Sequence, residues 1–201
     1  MTGKYRNKYR IQSARLPGYD YTRAGLYFIT ICTQNREHYF GEVVDGKMHL
    51  SNVGVLADVL WHEIKNHAKN VELHAFTVMP NHIHGILEIM DKPDDDDDDV
   101  EALHATPLHH HVSSPDRHNP PSEKNEQMAE ISPKPGSLSR IVGSYKSAVS
   151  KHAHRLGYEF AWQSRFYDHI IRNENDYVRI SEYIVNNPQK WVDDKFNGDK
   201  Q

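Results

Sequence analysis

The stretch MPNHIHGIL, Met79 to Leu87, sets two histidines one residue apart at the head of an apolar run. The same His-x-His spacing recurs at His109/His111 and at His152/His154 in a chain with 15 histidines, so spacing alone does not single it out. The backbone expected under each pair does. His109 and His111 lie in a polar, low-complexity stretch, and His152 and His154 fall in a helical pattern, where residues two apart do not face each other. Residues 82–90 instead read as a strand, with Val71 to Met79 as its partner and Met79-Pro80-Asn81 near the turn. Side chains alternate along a strand, which puts His82 and His84 on one face and Ile83 and Leu87 on the other. Two imidazoles side by side on a sheet are half of a metal site; at least one more ligand is needed.

Outward from this hairpin, Leu26 to Gln34 (LYFITICTQ) is rich in β-branched and aromatic residues and reads as a central strand. A short strand around KMHLS follows the turn pair Asp45-Gly46. From Ser51, an N-cap residue, Val55, Leu56, Val59, Leu60 and Ile64 recur at helical spacing to about His67. Beyond residue 135, Leu138, Ile141, Val142, Tyr145 and Val149 predict a helix from Ser137 that ends near Gly157. Phe160 to Asn173 reads as a loop leading into a short strand. A last helix is expected from about Asn175 to Asn186, with Tyr177, Ile180 and Ile184 buried and Pro188 stopping it. That makes roughly three helices and four or five strands in mixed order.

The 201 residues and 37% hydrophobic content suit one domain with an appendage. No stretch approaches a membrane span and no apolar signal region follows the basic N-terminus, so a soluble cytoplasmic protein with no membrane partner is expected. Cys32, the only cysteine, sits in a strand-like run and reads as a small buried thiol. Charge is unevenly spread. Residues 91–135 hold 12 Asp/Glu against 4 Lys/Arg, including Asp94 to Asp99 in succession, and read as a flexible acidic insertion. Residues 1–36 carry Lys4, Arg6, Lys8, Arg10, Arg15, Arg23 and Arg36 against Asp20 alone, interleaved with Tyr5, Tyr9, Tyr19 and Tyr21. Cations for phosphates and aromatic faces for unpaired bases are what single-stranded nucleic acid binding requires; a solvated basic arm has the same composition.

In the last helix Tyr183 and Asn187 are four residues apart and project from one face. If that face meets the histidine strand, Asn187 supplies an oxygen ligand and Tyr183 a phenol beside the metal. Tyrosine, with a pKa of about 10, is a poor nucleophile at neutral pH unless a cation polarises its target. Two imidazoles and an amide oxygen suit Mg²⁺ or Mn²⁺, leave Zn²⁺ open, and keep positions for phosphate and water. Tyr145, on the preceding helix, competes with Tyr183 for the role.

MPNHIHGIL, taken with WQSRFYDHIIRN (Trp162 to Asn173) and DYVRISEYIVNNPQKW (Asp176 to Trp191), resembles the REP-associated tyrosine transposases. These are single-tyrosine nucleases with the HUH motif: histidine, bulky hydrophobe, histidine. The resemblance spans about residues 5–90 and 136–192. It implies an α+β, ferredoxin-like HUH nuclease fold: a mainly antiparallel central sheet with helices packed on it. It divides the chain into a first part of the HUH domain with a basic N-terminal arm (1–90), the insertion (91–135), a second part carrying the nucleophile helix (136–192) and a tail (193–201). It implies further that His82, His84 and Asn187 bind a divalent metal, Mg²⁺ or Mn²⁺, and that Tyr183 is the nucleophile. The implied reaction is cleavage and rejoining of single-stranded DNA beside a hairpin through a 5′-phosphotyrosine, as in DNA transposition, by a monomer or homodimer. Arg6, Lys8, Tyr9, Arg10, Arg15, Arg36, Lys146, Trp162, Arg165 and Arg172 are the expected DNA contacts. A domesticated protein that grips DNA or RNA hairpins without cutting, and a phosphodiesterase using activated water, are the competing readings.

Overall fold

A computed structural model of the chain describes residues 16, 18–91 and 133–197, together with the backbone of residues 4–5 and 8–9. Most of the 91–135 insertion, together with Arg6, Arg10 and Arg15, lies outside the described residues. In the arm, β1 (Lys4–Tyr5) and β2 (Lys8–Tyr9) form a short antiparallel ladder.

The sheet begins with β3 (Gly25–Cys32), whose run Leu-Tyr-Phe-Ile-Thr-Ile-Cys is the β-branched and aromatic composition that a pleated, buried surface favours. A hairpin of β4 (Gly41–Val44) and β5 (Lys47–Leu50) follows, turning through Asp45 and Gly46, both at positive φ as a type I′ turn demands. Ser51 caps α1 (Asn52–His62): its Oγ accepts from the Gly54 N–H at 3.1 Å. The single helix expected to about His67 is interrupted at Glu63, and α2 (Ile64–His67) is a separate turn. β6 (Val71–Met79) and β7 (His82–Ile89) then form the expected hairpin. Past the insertion come α3 (Leu138–Arg155), β8 (Tyr167–Ile171), α4 (Glu174–Val185) and a 3₁₀ segment over Pro188–Asp193.

Four strands make the main sheet in the order β6-β7-β3-β8, and every pairing is antiparallel. Counted along the chain these are the second, third, first and fourth strands, which is the ferredoxin-like arrangement of a β-α-β-β-α-β chain. The fold is α+β, with β7 and β3 at the centre.

The alternation of β3 and β7 divides the molecule. Tyr27, Ile29, Ile31, Ile83, Leu87 and Ile89 face α1 and α3 and form the larger core with Trp61, Leu138, Ile141, Val142, Tyr145 and Val149. Phe28 and Ile86 face the other way, against Ile180 and Ile184 of α4. The apolar residues expected on α3 and α4 are thus inward. On α1 the buried stripe is rotated from the expectation: Val53, Ala57 and Trp61 are buried, whereas Val55 and Val59 are about half exposed. The cause is Trp61, whose indole stacks on Phe76 at 4.4 Å and meets Tyr145 edge-on at 5.5 Å, turning that side of the helix inward.

Gly85 makes this packing possible. A Cβ there would lie 2.3 Å from the Trp61 ring, so the indole rests directly on the backbone of β7 beside His84. Gly85→Ala is expected to force Trp61 aside and lower stability by about 1–3 kcal/mol, the usual scale of overpacking, measured by urea denaturation.

Candidate active site

Strand geometry delivers His82 and His84 to the face covered by α4. His84 lies opposite Thr30 of β3 and Thr77 of β6, and His82 opposite Cys32 and Met79. Both imidazoles are fully buried, and their Nε2 atoms face each other at 3.0 Å. Each ring is held from its far side. Asn81 Oδ1 lies 2.9 Å from His82 Nδ1, and Thr30 Oγ1 lies 2.8 Å from His84 Nδ1. The Asn81 amide nitrogen is committed elsewhere, donating to the carbonyls of Arg36 (3.2 Å) and Phe196 (2.8 Å). Its oxygen therefore accepts from His82 Nδ1–H, which leaves His82 Nε2 unprotonated and an acceptor toward His84 Nε2.

α4 brings the other two groups. Asn173 caps it through a 2.9 Å bond from the Asp176 N–H to Asn173 Oδ1. Ile180 and Ile184 then anchor it on Phe28 and Ile86. The Tyr183 hydroxyl consequently lies 3.2 Å from His84 Nε2, with its ring edge-on to Phe28. Asn187, one turn on, is buried. Although it precedes Pro188, its backbone is helical: φ is −58° and ψ is −43°. A pre-proline residue resists that conformation. The buried bond from Asn187 Nδ2 to Asp194 Oδ2, 3.1 Å, and the Lys190 N–H bonded to the Asn187 carbonyl hold it. With the amide nitrogen facing Asp194, Asn187 Oδ1 is buried with no hydrogen-bond partner.

The electrostatics follow from burial. Loss of solvent, then the neighbouring His84, then Arg36 and Lys195, hold His82 well below the usual histidine range. Burial, followed by Lys195, takes His84 down to about 3. Both rings are neutral at physiological pH, the form that binds metals. The Tyr183 phenol is pushed up by burial and by the charge of Asp194, partly opposed by the Asn187 amide, so it is protonated at rest.

These observations fit a cation. Two imidazole nitrogens meet at 3.0 Å, His82 Nε2 as the unprotonated partner, and the buried Asn187 carbonyl oxygen lacks a donor. Among the described residues no group of three His, Cys, Asp or Glu is assembled that could hold a metal. A neutral oxygen added to the two nitrogens would make a donor set suited to Mn²⁺ or Mg²⁺.

Tyr145 is on the other side of the sheet. It is buried in the larger core, its hydroxyl donates to the Ala57 carbonyl at 2.8 Å, and burial raises its pKa well above the ordinary value. His154, of the helical His-x-His pair, points its Nε2 at the Phe160 carbonyl, 2.8 Å away. Of the residues expected to touch DNA, Arg36, Arg165 and Arg172 are exposed. Lys146 donates to the carbonyls of Gln163 (2.7 Å) and Ser164 (3.3 Å). Trp162 donates to the Lys146 carbonyl at 3.1 Å and packs on Phe40 and Phe160. Lys8 and Tyr9 are described only as backbone of β2. Thr30, Asn81, Asp194 and Phe196 were not anticipated. Asn81 stands in the quoted motif beside His82 and was readable there; Thr30 needed the β3–β7 register.

This architecture, with a histidine pair on the central strand, is a ferredoxin-like α+β fold of the kind seen in a solved transposase. A solved REP-associated tyrosine transposase bound to a REP hairpin superposes with a TM-score of 0.51 and 21% identity, covering 88% of this chain and 74% of that one; at this identity the likeness is one of fold. The chain is also 34% identical over 197 residues to an uncharacterized protein of Haemophilus influenzae, covering 97% of this chain and 98% of the relative. It belongs to the same family as that Haemophilus protein. No family model matches the chain.

Because His84 is lowered from 6.5 to about 3 in the folded state, its neutral form is favoured by folding. Stability from this group is complete above about pH 6.5 and is lost progressively as pH falls toward 3. In EDTA, denaturant titrations at pH 7.5 and pH 5 should differ by about 2 kcal/mol from His84 alone, with the lower stability at pH 5.

Proposed function

We propose that this protein is a transposase-like endonuclease and strand transferase that acts on single-stranded DNA beside a hairpin, through a covalent 5′-phosphotyrosine on Tyr183. One observation carries the reading: the Tyr183 hydroxyl lies 3.2 Å from His84 Nε2, beside two facing imidazole nitrogens, and Asn187, one turn along, keeps a buried oxygen without a hydrogen-bond partner. That contact is made within one chain, so the reading needs no second copy to supply the nucleophile. The REP hairpin bound by the solved fold relative supports the choice of a hairpin as substrate.

His82, His84 and Asn187 would hold the divalent metal, Mn²⁺ or Mg²⁺. When bound, it polarises the scissile phosphate and stabilises the charge that develops on its oxygens. Tyr183 Oη attacks the phosphorus; the bond to the 3′ oxygen breaks, and that oxygen leaves as a hydroxyl after gaining a proton. The phenol proton must be lost as the new bond forms, since burial keeps Tyr183 protonated at rest. Asp194, by binding the Asn187 amide nitrogen, aims the oxygen ligand. Thr30 and Asn81 fix the rings of His84 and His82 from behind, the supporting role that metal-binding histidines need. The phosphotyrosine conserves the energy of the broken linkage, so a second 3′-hydroxyl can reverse the attack without ATP.

The test is incubation with labelled single-stranded hairpins in Mn²⁺ or Mg²⁺, resolved on a denaturing gel. The expected result is a protein–DNA adduct abolished by EDTA and by Tyr183→Phe. Cleavage that survives Tyr183→Phe would replace the tyrosine by activated water, and binding without cleavage in either metal would sink the enzymatic reading. Thr30→Val should weaken Mn²⁺ affinity by about 10- to 100-fold, read by calorimetric titration.

A further inference from the structure

Arg36 and the segment Lys195–Phe196 meet over the histidine pair in an arrangement that the proposed chemistry leaves unexplained. The Phe196 ring lies 4.5 Å from the His82 ring and 5.9 Å from the His84 ring, centroid to centroid. Two cations approach the same phenyl ring: Arg36 Cζ at 4.5 Å and Lys195 Nζ at 4.9 Å from its centroid. Both side chains are exposed, and among the described residues no ion pair is formed by either. Both also exert a positive charge on His82. Two neighbouring cations repel each other and would repel a metal; the Asp194 carboxylate beside them is buried, with its oxygens taken by Asn187 Nδ2 and the Phe196 N–H, so a further anion would relieve the repulsion on the exposed side.

The backbone goes to some expense to keep them there. Asn35 and Arg36 sit at φ of 52° and 59°, left-handed conformations uncommon for residues other than glycine. Such a segment persists only where its surroundings hold it. The holder is Asn81: its buried amide nitrogen binds the Arg36 carbonyl and the Phe196 carbonyl together, while its oxygen binds His82. One side chain thus fixes the first histidine and both cation-bearing segments in a single register.

From this geometry we infer that Arg36 and Lys195 form a binding site for a phosphodiester of single-stranded DNA, set by Asn81 at a fixed offset from the histidine pair. The inference rests on the proposed function and adds a subsite to it. The cations bind a phosphate next to the scissile one on the unpaired flank of the hairpin. The bound phosphate thereby offsets the repulsion between the two cations, and its position sets the register in which the strand crosses Tyr183.

The experiment is equilibrium binding of the full chain, in EDTA so that no cleavage intervenes. The probes are a fluorescent DNA hairpin with a single-stranded tail and the same hairpin without the tail, each followed by anisotropy across a salt titration. For the tailed probe, the double variant Arg36→Gln/Lys195→Gln should reduce the slope of log affinity against log salt by about 0.7, the value for one single-strand phosphate contact, and each single variant should reduce it by part of that. Arg36→Lys and Lys195→Arg keep the charges and should keep the slope. Lys65→Gln, an exposed lysine on α2, should leave the slope unchanged. The blunt hairpin should show no difference between wild type and the glutamine variants. Unchanged slopes for the tailed probe, an equal loss from Lys65→Gln, or an equal loss on the blunt hairpin would each overturn the subsite while leaving the nuclease reading intact. Failure of the wild type to bind the tailed hairpin would instead remove the proposed function, and the subsite with it.

Discussion

Every residue of β7 has to serve one of two faces, and the rest of the molecule is arranged around that constraint. The strand lies between β6 and β3, so its backbone groups are consumed by pairing on both edges and only its side chains remain to do anything else. Ile83, Leu87 and Ile89 are fully committed to the core beneath α1 and α3. His82 and His84 are for that reason forced to the opposite face. A slip of one residue would exchange the sets and bury the imidazoles among Trp61 and Tyr145. The apolar core is what fixes the polar site, because the free energy of burying three aliphatic side chains opposes any register that would misplace the histidines.

The two faces use aromatic residues differently. On the core side Trp61, Phe76, Tyr145 and Trp162 pack against one another, and the tyrosine hydroxyl is neutralised by a main-chain carbonyl. On the α4 side Phe28 and Phe196 flank the imidazoles, while the Tyr183 hydroxyl faces His84. Two tyrosines on successive long helices are thereby given opposite fates by which face of one sheet their helices cover.

Much of this was legible in the amino-acid order because it depends on local periodicity. The alternation in HIHGIL assigns the histidines to one face without reference to anything distant, and four-residue spacing does the same for Tyr183 and Asn187. The apolar spacing of α3, from Leu138 to Val149, likewise survives intact. What failed depended on partners. Val55 and Val59 fit a helical stripe as well as Val53 and Ala57 do, and only the demand of Trp61 for the groove above Gly85 decides between them. Asn187 departs from the pre-proline rule because Asp194, seven residues on, holds its amide. Asp194 and Phe196 were unreadable for a related reason: a 3₁₀ segment returns them toward β7, and nothing in the local pattern announces where a chain turns back.

The contact between Tyr183 and His84 joins residues 99 apart in sequence, and synthesis runs in one direction only. β3, β6 and β7 can pair, and the histidines can be fixed by Asn81 and Thr30, while everything beyond β7 is still to be made. At about 5–20 residues per second the phenol follows the imidazoles by roughly 5–20 s. During that interval a nascent chain holds the histidine pair without the tyrosine. β8 and α4, the last elements of the sheet and its cover, therefore also set an order: the phenol enters the chain only after the strands that carry the histidines, and Asn187, Asp194 and Phe196 follow it.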